Sequence, residues 1–270
     1  MSPGANGMEQ AHRAEVVRFP SPALGRAVEA TVLVPAAPPP AGGHPVLYLL
    51  HGGASHHREW SEQMPLAERC GGLPMLVVTP EAESSLYLNG ADGQRFADCV
   101  LWDLPGFIQE RYPARSDRAG RALAGLSMGG FGAMNLGLAH PDRYAALGSL
   151  SGAFGMTWWG LGKRAPYLAA LGPEGSFVRE HFNPWRVLER AVAATPAASL
   201  PQLGLWVGTE DDPDVVEVNR HYHLSLERFG IPHRYRESQG GHDWDYWRSV
   251  TPSLLAFIAE RFGFPGPPER

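Results

Sequence analysis

The run Gly125-Leu126-Ser127-Met128-Gly129 constrains this chain more than any other stretch, because it has the G-x-S-x-G pattern of a nucleophile elbow. In such an elbow a strand turns sharply into a helix, so the serine takes a strained backbone conformation and its hydroxyl is exposed. The pattern alone is weak in a chain that has 32 glycines among 270 residues. Its value therefore depends on the flanking sequence.

The flanking sequence has the order of strand, elbow and helix that the motif requires. Residues 120–124 are short and apolar enough for a buried strand, and residues 131–139 are rich in Ala, Leu and Met without a proline. The helix should end at His140-Pro141, since proline disfavours a helical conformation in the residue before it. We predict that Ser127 is a nucleophile; the alternative is a glycine-rich loop with an incidental serine.

Composition and charge exclude several classes of partner. With 44% hydrophobic and 19% charged residues, the chain can bury a substantial core and lacks the signature of a disordered protein. The net charge is -5 and the arginines are scattered, so we expect no nucleic-acid partner. No apolar run approaches spanning length and no polybasic anchor is present, so we expect no membrane partner. The sequence leaves the oligomeric state open.

The start of the chain and the cysteines bear on the compartment. A secretion signal needs an uninterrupted apolar core, but the first 20 residues contain the charged side chains Glu9, Arg13, Glu15 and Arg18. We expect a cytoplasmic protein, and a secreted form whose leader has been removed is the alternative. Cys70 and Cys99 make no C-x-x-C pattern and no disulfide framework, so both are predicted to be small buried residues.

Predicted strands and helices alternate along the chain, which indicates an α/β fold. Residues 46–50 and 73–79 are apolar runs of strand length, and residues 59–69 between them can form a crossover helix. Residues 98–112 suit a helix with a break or kink near Pro105. We predict a mostly parallel central sheet of about eight strands flanked by helices. No linker divides the chain, so residues 1–270 are predicted to form a single domain.

The second half of the chain contains an irregular segment and a final helix. Residues 151–201 carry glycines, prolines and tryptophans without a sustained period, so we predict a cap-like excursion over the carboxyl edge of the sheet. Thr251 is predicted to cap a final helix that has Pro252 at its first position. Residues 265–270 should fray.

A nucleophilic serine needs a base that takes its proton and a group that orients the base. Of eleven histidines, His242 alone follows the last predicted strand, residues 233–237, in a glycine loop, where it can reach Ser127 over the edge of the sheet. The acid should follow the preceding predicted strand, residues 203–208. Residues 208–214 offer four carboxylates there, and Asp211 is our choice. The chain order of Ser127, Asp211 and His242 is that of α/β-hydrolases.

The carboxylates beside Asp211 have a structural alternative. Asp212 or Asp214 is well suited to cap the helix that begins near Val215. We therefore expect Asp211, and not these neighbours, to orient His242.

Attack of a serine on a carbonyl creates an oxyanion that backbone N–H groups must stabilise. Met128, directly after the serine, can supply one N–H, and Gly53 in the turn after a central strand is the favoured second donor. The alternative for this turn is a metal site at His51, His56 and His57, but their spacing lacks a metal-binding pair and no carboxylate joins them. We expect no metal and no cofactor.

Several motifs are together similar to those of one family. They are Tyr48-Leu49-Leu50-His51-Gly52-Gly53, Gly125-Leu126-Ser127-Met128-Gly129-Gly130-Phe131-Gly132-Ala133, His140-Pro141-Asp142, Ser149-Leu150-Ser151-Gly152, Gly208-Thr209-Glu210-Asp211 and Gly240-Gly241-His242-Asp243-Trp244. They resemble the putative esterase family of α/β-hydrolases, which includes esterase D (S-formylglutathione hydrolase), tributyrin esterases and feruloyl or acetylxylan esterases, with mycolyltransferases as distant relatives. The resemblance covers about residues 27–262.

The resemblance implies Ser127 as nucleophile, Asp211 as acid, His242 as base, and Met128 with Gly53 as oxyanion donors. The leading hypothesis is a serine carboxylic-ester hydrolase that forms an acyl-enzyme. One alternative is an acyltransferase that passes the acyl group to an alcohol or thiol, and another is a catalytically inactive binding protein. The substrate is expected to be a small-molecule ester.

The substrate cleft is predicted to lie between the excursion at residues 151–201 and the loop at residues 87–89. The excursion mixes tryptophans with charged residues, which favours a small, partly polar pocket with aromatic walls. Tyr87, Trp158 and Trp159 are predicted to contact the substrate, and the alternative is that the tryptophans belong to the core. We expect short acyl esters or aryl esters rather than long-chain lipids.

Overall fold

An eight-stranded sheet with the order β1-β2-β4-β3-β5-β6-β7-β8 runs through the part of the chain that the structure, a computed structural model, describes: residues 12–157 and 165–266. The first three strands in this order are antiparallel neighbours, and all later neighbours are parallel. The strands are β1 (Arg13–Ser21), β2 (Arg26–Val34), β3 (Val46–Leu50), β4 (Leu76–Pro80), β5 (Arg121–Leu126), β6 (Ala146–Leu150), β7 (Gln202–Gly208) and β8 (His233–Ser238). The predicted α/β class with a mostly parallel sheet is confirmed.

The central strands are buried on both faces. In β3, Val46, Tyr48 and Leu50 belong to one apolar core, and Leu47 and Leu49 belong to a second core on the opposite face. Successive side chains of a strand point to opposite sides, so an unbroken apolar run supplies both cores at once. This is why the sequence of β3 shows no alternation of apolar and polar residues.

Helices cover both faces of the sheet. On the face of Leu47 lie α1 (Glu59–Gln63), α2 (Leu66–Arg69) and α10 (Trp244–Arg261). On the other face lie α3 (Phe96–Asp98), α4 (Leu104–Arg111), α5 (Met128–Ala139), α8 (Pro184–Ala194) and α9 (Pro213–Arg228). The excursion after β6 contains α6 (Ala165–Leu171) and α7 (Phe177–His181) before α8.

Prolines shape two of the predicted helices. The crossover at residues 59–69 is two short helices, because Pro65 lies between α1 and α2. A π-helical turn, Cys99–Asp103, joins α3 to α4 directly before Pro105. A proline ring collides with the carbonyl four residues earlier and has no N–H, and the wider π turn absorbs both effects. The helix therefore continues through this point with a local distortion and without a break.

The predicted start of the last helix is wrong. Helix α10 begins at Trp244, and the carboxylate of Asp243 accepts the N–H of Tyr246 at 2.9 Å as its N-terminal cap. Pro252 therefore lies inside the helix, and Thr251 does not cap it: the Thr251 hydroxyl donates to the carbonyl of Trp247 at 2.6 Å. Both residues are buried, so packing against the sheet offsets the hydrogen bond that the proline removes.

Cys70 and Cys99 are buried and unlinked, as predicted. Burial raises the pKa of the Cys70 thiol to about 12 and that of Cys99 to about 11. Both are therefore inert core thiols at neutral pH. Within the described residues, none of the helices combines the length and the apolar character that a membrane crossing needs.

Candidate active site

Ser127 lies in the turn between β5, which ends at Leu126, and α5, which begins at Met128. Its backbone has φ of 50° and ψ of -112°, a conformation that is strained for any residue with a side chain. The Ser127 N–H donates to the carbonyl of Leu150 at 2.8 Å, which ties the turn to the neighbouring strand. Every other residue from 120 to 138 is buried, so the fold exposes the serine selectively.

Two glycines allow this turn to be so tight. A Cβ on Gly125 would lie 2.6 Å from the carbonyl carbon of Gly129, and a Cβ on Gly129 would lie 2.4 Å from the carbonyl oxygen of Leu50. These contacts are with backbone atoms, which cannot move aside without deforming the sheet. The G-x-S-x-G spacing thus follows from the close packing of strand, turn and helix.

His242 reaches the serine from the loop after β8. Its Nε2 lies 2.9 Å from the Oγ of Ser127, and its Nδ1 lies 2.8 Å from Oδ1 of Asp211. A carboxylate can only accept, so Nδ1 carries the proton and Nε2 is left to accept the serine O–H. Behind the imidazole, the ring of Trp247 packs edge-on with ring centroids 5.1 Å apart. The geometry allows His242 to take the serine proton.

Asp211 follows β7, and its side chain is completely buried. Its Oδ1 also accepts the N–H of Asp212 at 2.8 Å, so the carboxylate is held from two sides. Asp212 and Asp214 are exposed at the start of α9 and make no hydrogen bond to His242. Among the carboxylates of this loop, the structure therefore places Asp211 alone against the histidine. Asp212 occupies the N-cap position of α9 without a side-chain cap hydrogen bond.

The two predicted oxyanion donors belong to two turns that meet near the serine. The N–H of Met128 belongs to the first residue of α5, so it has no acceptor within the helix. The second turn, residues 51–54, comes close to the serine, because a Cβ on Gly52 would lie 4.0 Å from the Cβ of Ser127. Gly53, the next residue, is partly exposed.

A buried histidine holds the second turn in place. Nδ1 of His51 donates to the carbonyl of Gly52 at 2.7 Å, and Nε2 accepts the N–H of Ala82 at 3.1 Å. Burial lowers the pKa of His51, which keeps this one-donor, one-acceptor form of the ring at neutral pH. The hydroxyl of Tyr87 donates to the carbonyl of His51 at 3.0 Å, and the N–H of Gly52 donates to Glu59 at 3.3 Å. His51 is thus a structural support of the turn.

The three histidines considered for a metal site point to separate partners. Nε2 of His56 lies 3.5 Å from Glu62, and Nδ1 of His57 lies 3.0 Å from the Thr31 hydroxyl. Nowhere in the part of the chain that the structure describes do three His, Cys, Asp or Glu side chains come together as a metal site would require.

The structure bears on only one of the three predicted substrate contacts, Tyr87. Tyr87 has no exposed surface, and its ring packs on Gly132, where a Cβ would lie 2.6 Å from ring atom Cδ2. Its burial does not fit the prediction that Tyr87 contacts the substrate, because its hydroxyl is used to support the turn at His51. Trp158 and Trp159 lie outside the described residues. Trp185 packs on Tyr222 of α9 at 5.7 Å between ring centroids, so it belongs to the core side of the excursion.

Two further side chains, Glu59 and Tyr167, lie next to the site and were not predicted from the sequence. Glu59 accepts the N–H of Gly52 and, at 3.4 Å, the indole N–H of Trp244, so it joins the oxyanion turn to the helix that follows His242. The hydroxyl of Tyr167 lies directly against Gly53. The contacts of Glu59 with Trp244 and of Tyr167 with Gly53 each join residues more than a hundred positions apart, and no local spacing in the sequence predicts them.

Comparisons with known proteins agree on a family. The model of the family described as putative esterase matches residues 21–257. An acetyl esterase of Caldicellulosiruptor saccharolyticus is 28% identical over 224 residues, which cover 79% of this chain and 83% of that protein. An esterase of Mycobacterium tuberculosis is 26% identical over 252 residues and covers 83% of this chain, which spans only 54% of the length of that relative.

Solved structures show the same fold. The fluorophosphonate-binding serine hydrolase F of Staphylococcus aureus superimposes with a TM-score of 0.81 at 22% identity, covering 92% of this chain and 98% of that one. At this identity the likeness concerns the fold.

Proposed function

This chain belongs to the putative esterase family, with the α/β-hydrolase fold and the serine ester hydrolase activity of that family, and from this premise we propose that it acts through an acyl-enzyme formed on Ser127. The observation that carries the proposal is the line of hydrogen bonds from Ser127 through His242 to Asp211, at 2.9 and 2.8 Å. Nucleophile, base and acid are thereby linked in the order that acyl transfer requires.

In the first half of the reaction, Oγ of Ser127 attacks the ester carbonyl while Nε2 of His242 takes the hydroxyl proton. The negative charge moves to the carbonyl oxygen, which accepts hydrogen bonds from the N–H groups of Met128 and Gly53. When the intermediate collapses, the bond to the alkoxy oxygen breaks, and the alcohol leaves with the proton held by His242. The acyl group remains on Ser127.

In the second half, water replaces the alcohol. His242 takes one proton from water as its oxygen attacks the acyl carbonyl, and the second intermediate collapses by breaking the bond to Oγ. Ser127 recovers its proton from His242, and the carboxylic acid is released. Asp211 stays ionised throughout, since its role is to hold Nδ1–H and to stabilise the imidazolium that forms twice in each cycle.

The proposed base predicts a pH dependence. Only the neutral imidazole of His242 can take the serine proton, so kcat/KM for a nitrophenyl ester should rise with pH over the range in which this imidazole loses its proton. The measurement is a series of initial rates at constant ionic strength. A rate that stays flat across this range would contradict the assignment of His242 as base.

We further propose that the ester has a short acyl chain or an aryl acyl group. The similarity to an acetyl esterase supports a small acyl group. Charged residues among the aromatics of the excursion also support a small and partly polar cleft.

A series of nitrophenyl esters tests this size limit. We expect kcat/KM to be highest between acetyl and butyryl, because each added methylene gains about 0.8 kcal/mol only where there is space to bury it. The series should be run beside an acetylated sugar, a feruloyl ester and a glutathione thioester to separate the leaving groups. Highest kcat/KM for acyl chains of about ten carbons or more would overturn the small-cleft proposal.

A further inference from the structure

We propose that Tyr167 of α6 is a specificity-determining residue, which closes the cleft beside the oxyanion turn and limits the acyl group to a few carbons. The inference rests on the proposed ester hydrolysis, because that reaction is what places a substrate carbonyl at Gly53. Tyr167 belongs neither to the elbow nor to the loops that carry Asp211 and His242.

The hydroxyl end of Tyr167 lies directly against Gly53. A Cβ built on Gly53 would lie 1.7 Å from the hydroxyl oxygen of Tyr167, 2.9 Å from Cζ and 3.5 Å from Cε1. The tip of the ring thus meets the backbone end-on and fills the space of a side chain at residue 53. The φ angle of Gly53 is not in the left-handed region, so close approach, and not backbone freedom, is what requires glycine here.

Tyr167 extends from helix α6, which is anchored at its C-terminal end. The residue lies one turn before the end of α6, and carbonyl groups at that end accept hydrogen bonds from three separate places. These bonds are Ala91 N–H to Ala170 at 2.8 Å, the Ser176 hydroxyl to Leu171 at 2.5 Å, and Arg179 Nε to Gly172 at 2.9 Å. Leu171 itself is fully buried. The ring is therefore held over the turn by its helix.

The ring of Tyr167 is accessible from solvent, so a bound substrate could contact it. Gly53 and Tyr167 are both partly exposed, so the ring forms a wall of the cleft and does not lie in the core. A short acyl group leaves Tyr167 in place, whereas a longer one has to push the ring off Gly53. Without that obstacle, each buried methylene would favour the longer ester by about fourfold.

The first experiment removes the ring. Tyr167→Ala should raise the ratio of kcat/KM for the hexanoyl over the acetyl nitrophenyl ester by about tenfold or more, within the limit of about 200-fold for four fully buried methylenes. Tyr167→Phe should change the ratio by less than about threefold, since the ring carbons still block the space. The matched control is Leu168→Ala, which shortens the next, exposed side chain of the same helix.

Two outcomes would overturn the proposal. One is an unchanged ratio in Tyr167→Ala. The other is an equal shift in Leu168→Ala, because the preference would then depend on the packing of α6 and not on the contact with Gly53.

A double-mutant cycle tests the contact without any turnover. In the wild-type chain, Gly53→Ala should lower the free energy of unfolding in urea. In the Tyr167→Ala variant, which has open space at this position, the same substitution should lower the free energy of unfolding much less. Additive effects would show that the ring does not occupy the position of a side chain at residue 53, which refutes the proposal. If the cycle shows coupling but the wild type hydrolyses none of the esters, the contact stands, while the proposed function and the specificity role both fail.

Discussion

Ser127→Ala is expected to lower kcat/KM for nitrophenyl acetate by about 10⁴- to 10⁶-fold, because it removes the only atom that can carry the acyl group. The loss should appear in kcat, since the proposed oxyanion donors, the N–H groups of Met128 and Gly53, are unchanged. The residual rate then reflects positioning and the oxyanion donors alone. The measurement is steady-state kinetics at high enzyme concentration.

The control for this variant is Ser199→Ala, which makes the same change at an exposed serine in a surface turn. Its rate should equal that of the wild type. Thermal unfolding should show that Ser127→Ala is folded, because alanine accepts the positive φ of residue 127 no worse than serine does. If Ser127→Ala keeps more than about a hundredth of the wild-type rate, Ser127 is not the nucleophile.

Asp211→Asn should have the next largest effect, a loss of about 10⁴-fold in kcat. The amide can present an N–H to the imidazole in place of a carboxylate oxygen, and the ring then carries its proton on the nitrogen that should accept from Ser127. Asp211 is buried, so water cannot replace the lost charge. Steady-state kinetics again measures the effect.

The neighbouring carboxylates provide matched controls. Asp212→Asn and Asp214→Asn make the same chemical change on exposed side chains within the same loop and helix start, and each should alter kcat by less than about threefold. A larger loss at Asp214 than at Asp211 would move the acid to that position.

The central strands and the order of the site residues could be predicted from the sequence because their signals are local. Val46 to Leu50 is an apolar run of strand length, and the structure has β3 at these residues. The parallel sheet then brings the ends of its strands to one edge, so Ser127 and His242 meet although 115 residues separate them. Chain order and sheet topology were sufficient for this pair.

The rest of the site depends on contacts that no local pattern records. Tyr87 looked like a cleft residue because its loop is near the site, but only the packed structure shows its hydroxyl turned to His51. Glu59 links Gly52 to the distant Trp244, and Tyr167 reaches Gly53 from the excursion. Their roles follow from how the loops and the excursion pack on the sheet, and that packing is a property of the whole fold.

Helix α10 shows a different limit. Thr251-Pro252 has the sequence of a helix start, yet both residues lie in the middle of an 18-residue helix. A buried proline inside a helix is tolerated when packing outweighs its cost of about 3 kcal/mol. Local propensity was overruled here by the apolar face that α10 buries against the sheet.

The proposed acyl-enzyme requires that Ser127 becomes covalently bonded to the acyl group. Peptide mapping after reaction with an aryl phosphonate tests this bond most directly. The phosphonate phosphorus accepts the serine oxygen and loses its aryl oxide, which gives a stable copy of the acyl-enzyme bond. We expect one phosphonyl group per chain, on the peptide containing Ser127, and labelling that slows strongly in His242→Ala. Loss of esterase activity with the label on another residue, or with no label on Ser127, would show that Ser127 is not the nucleophile.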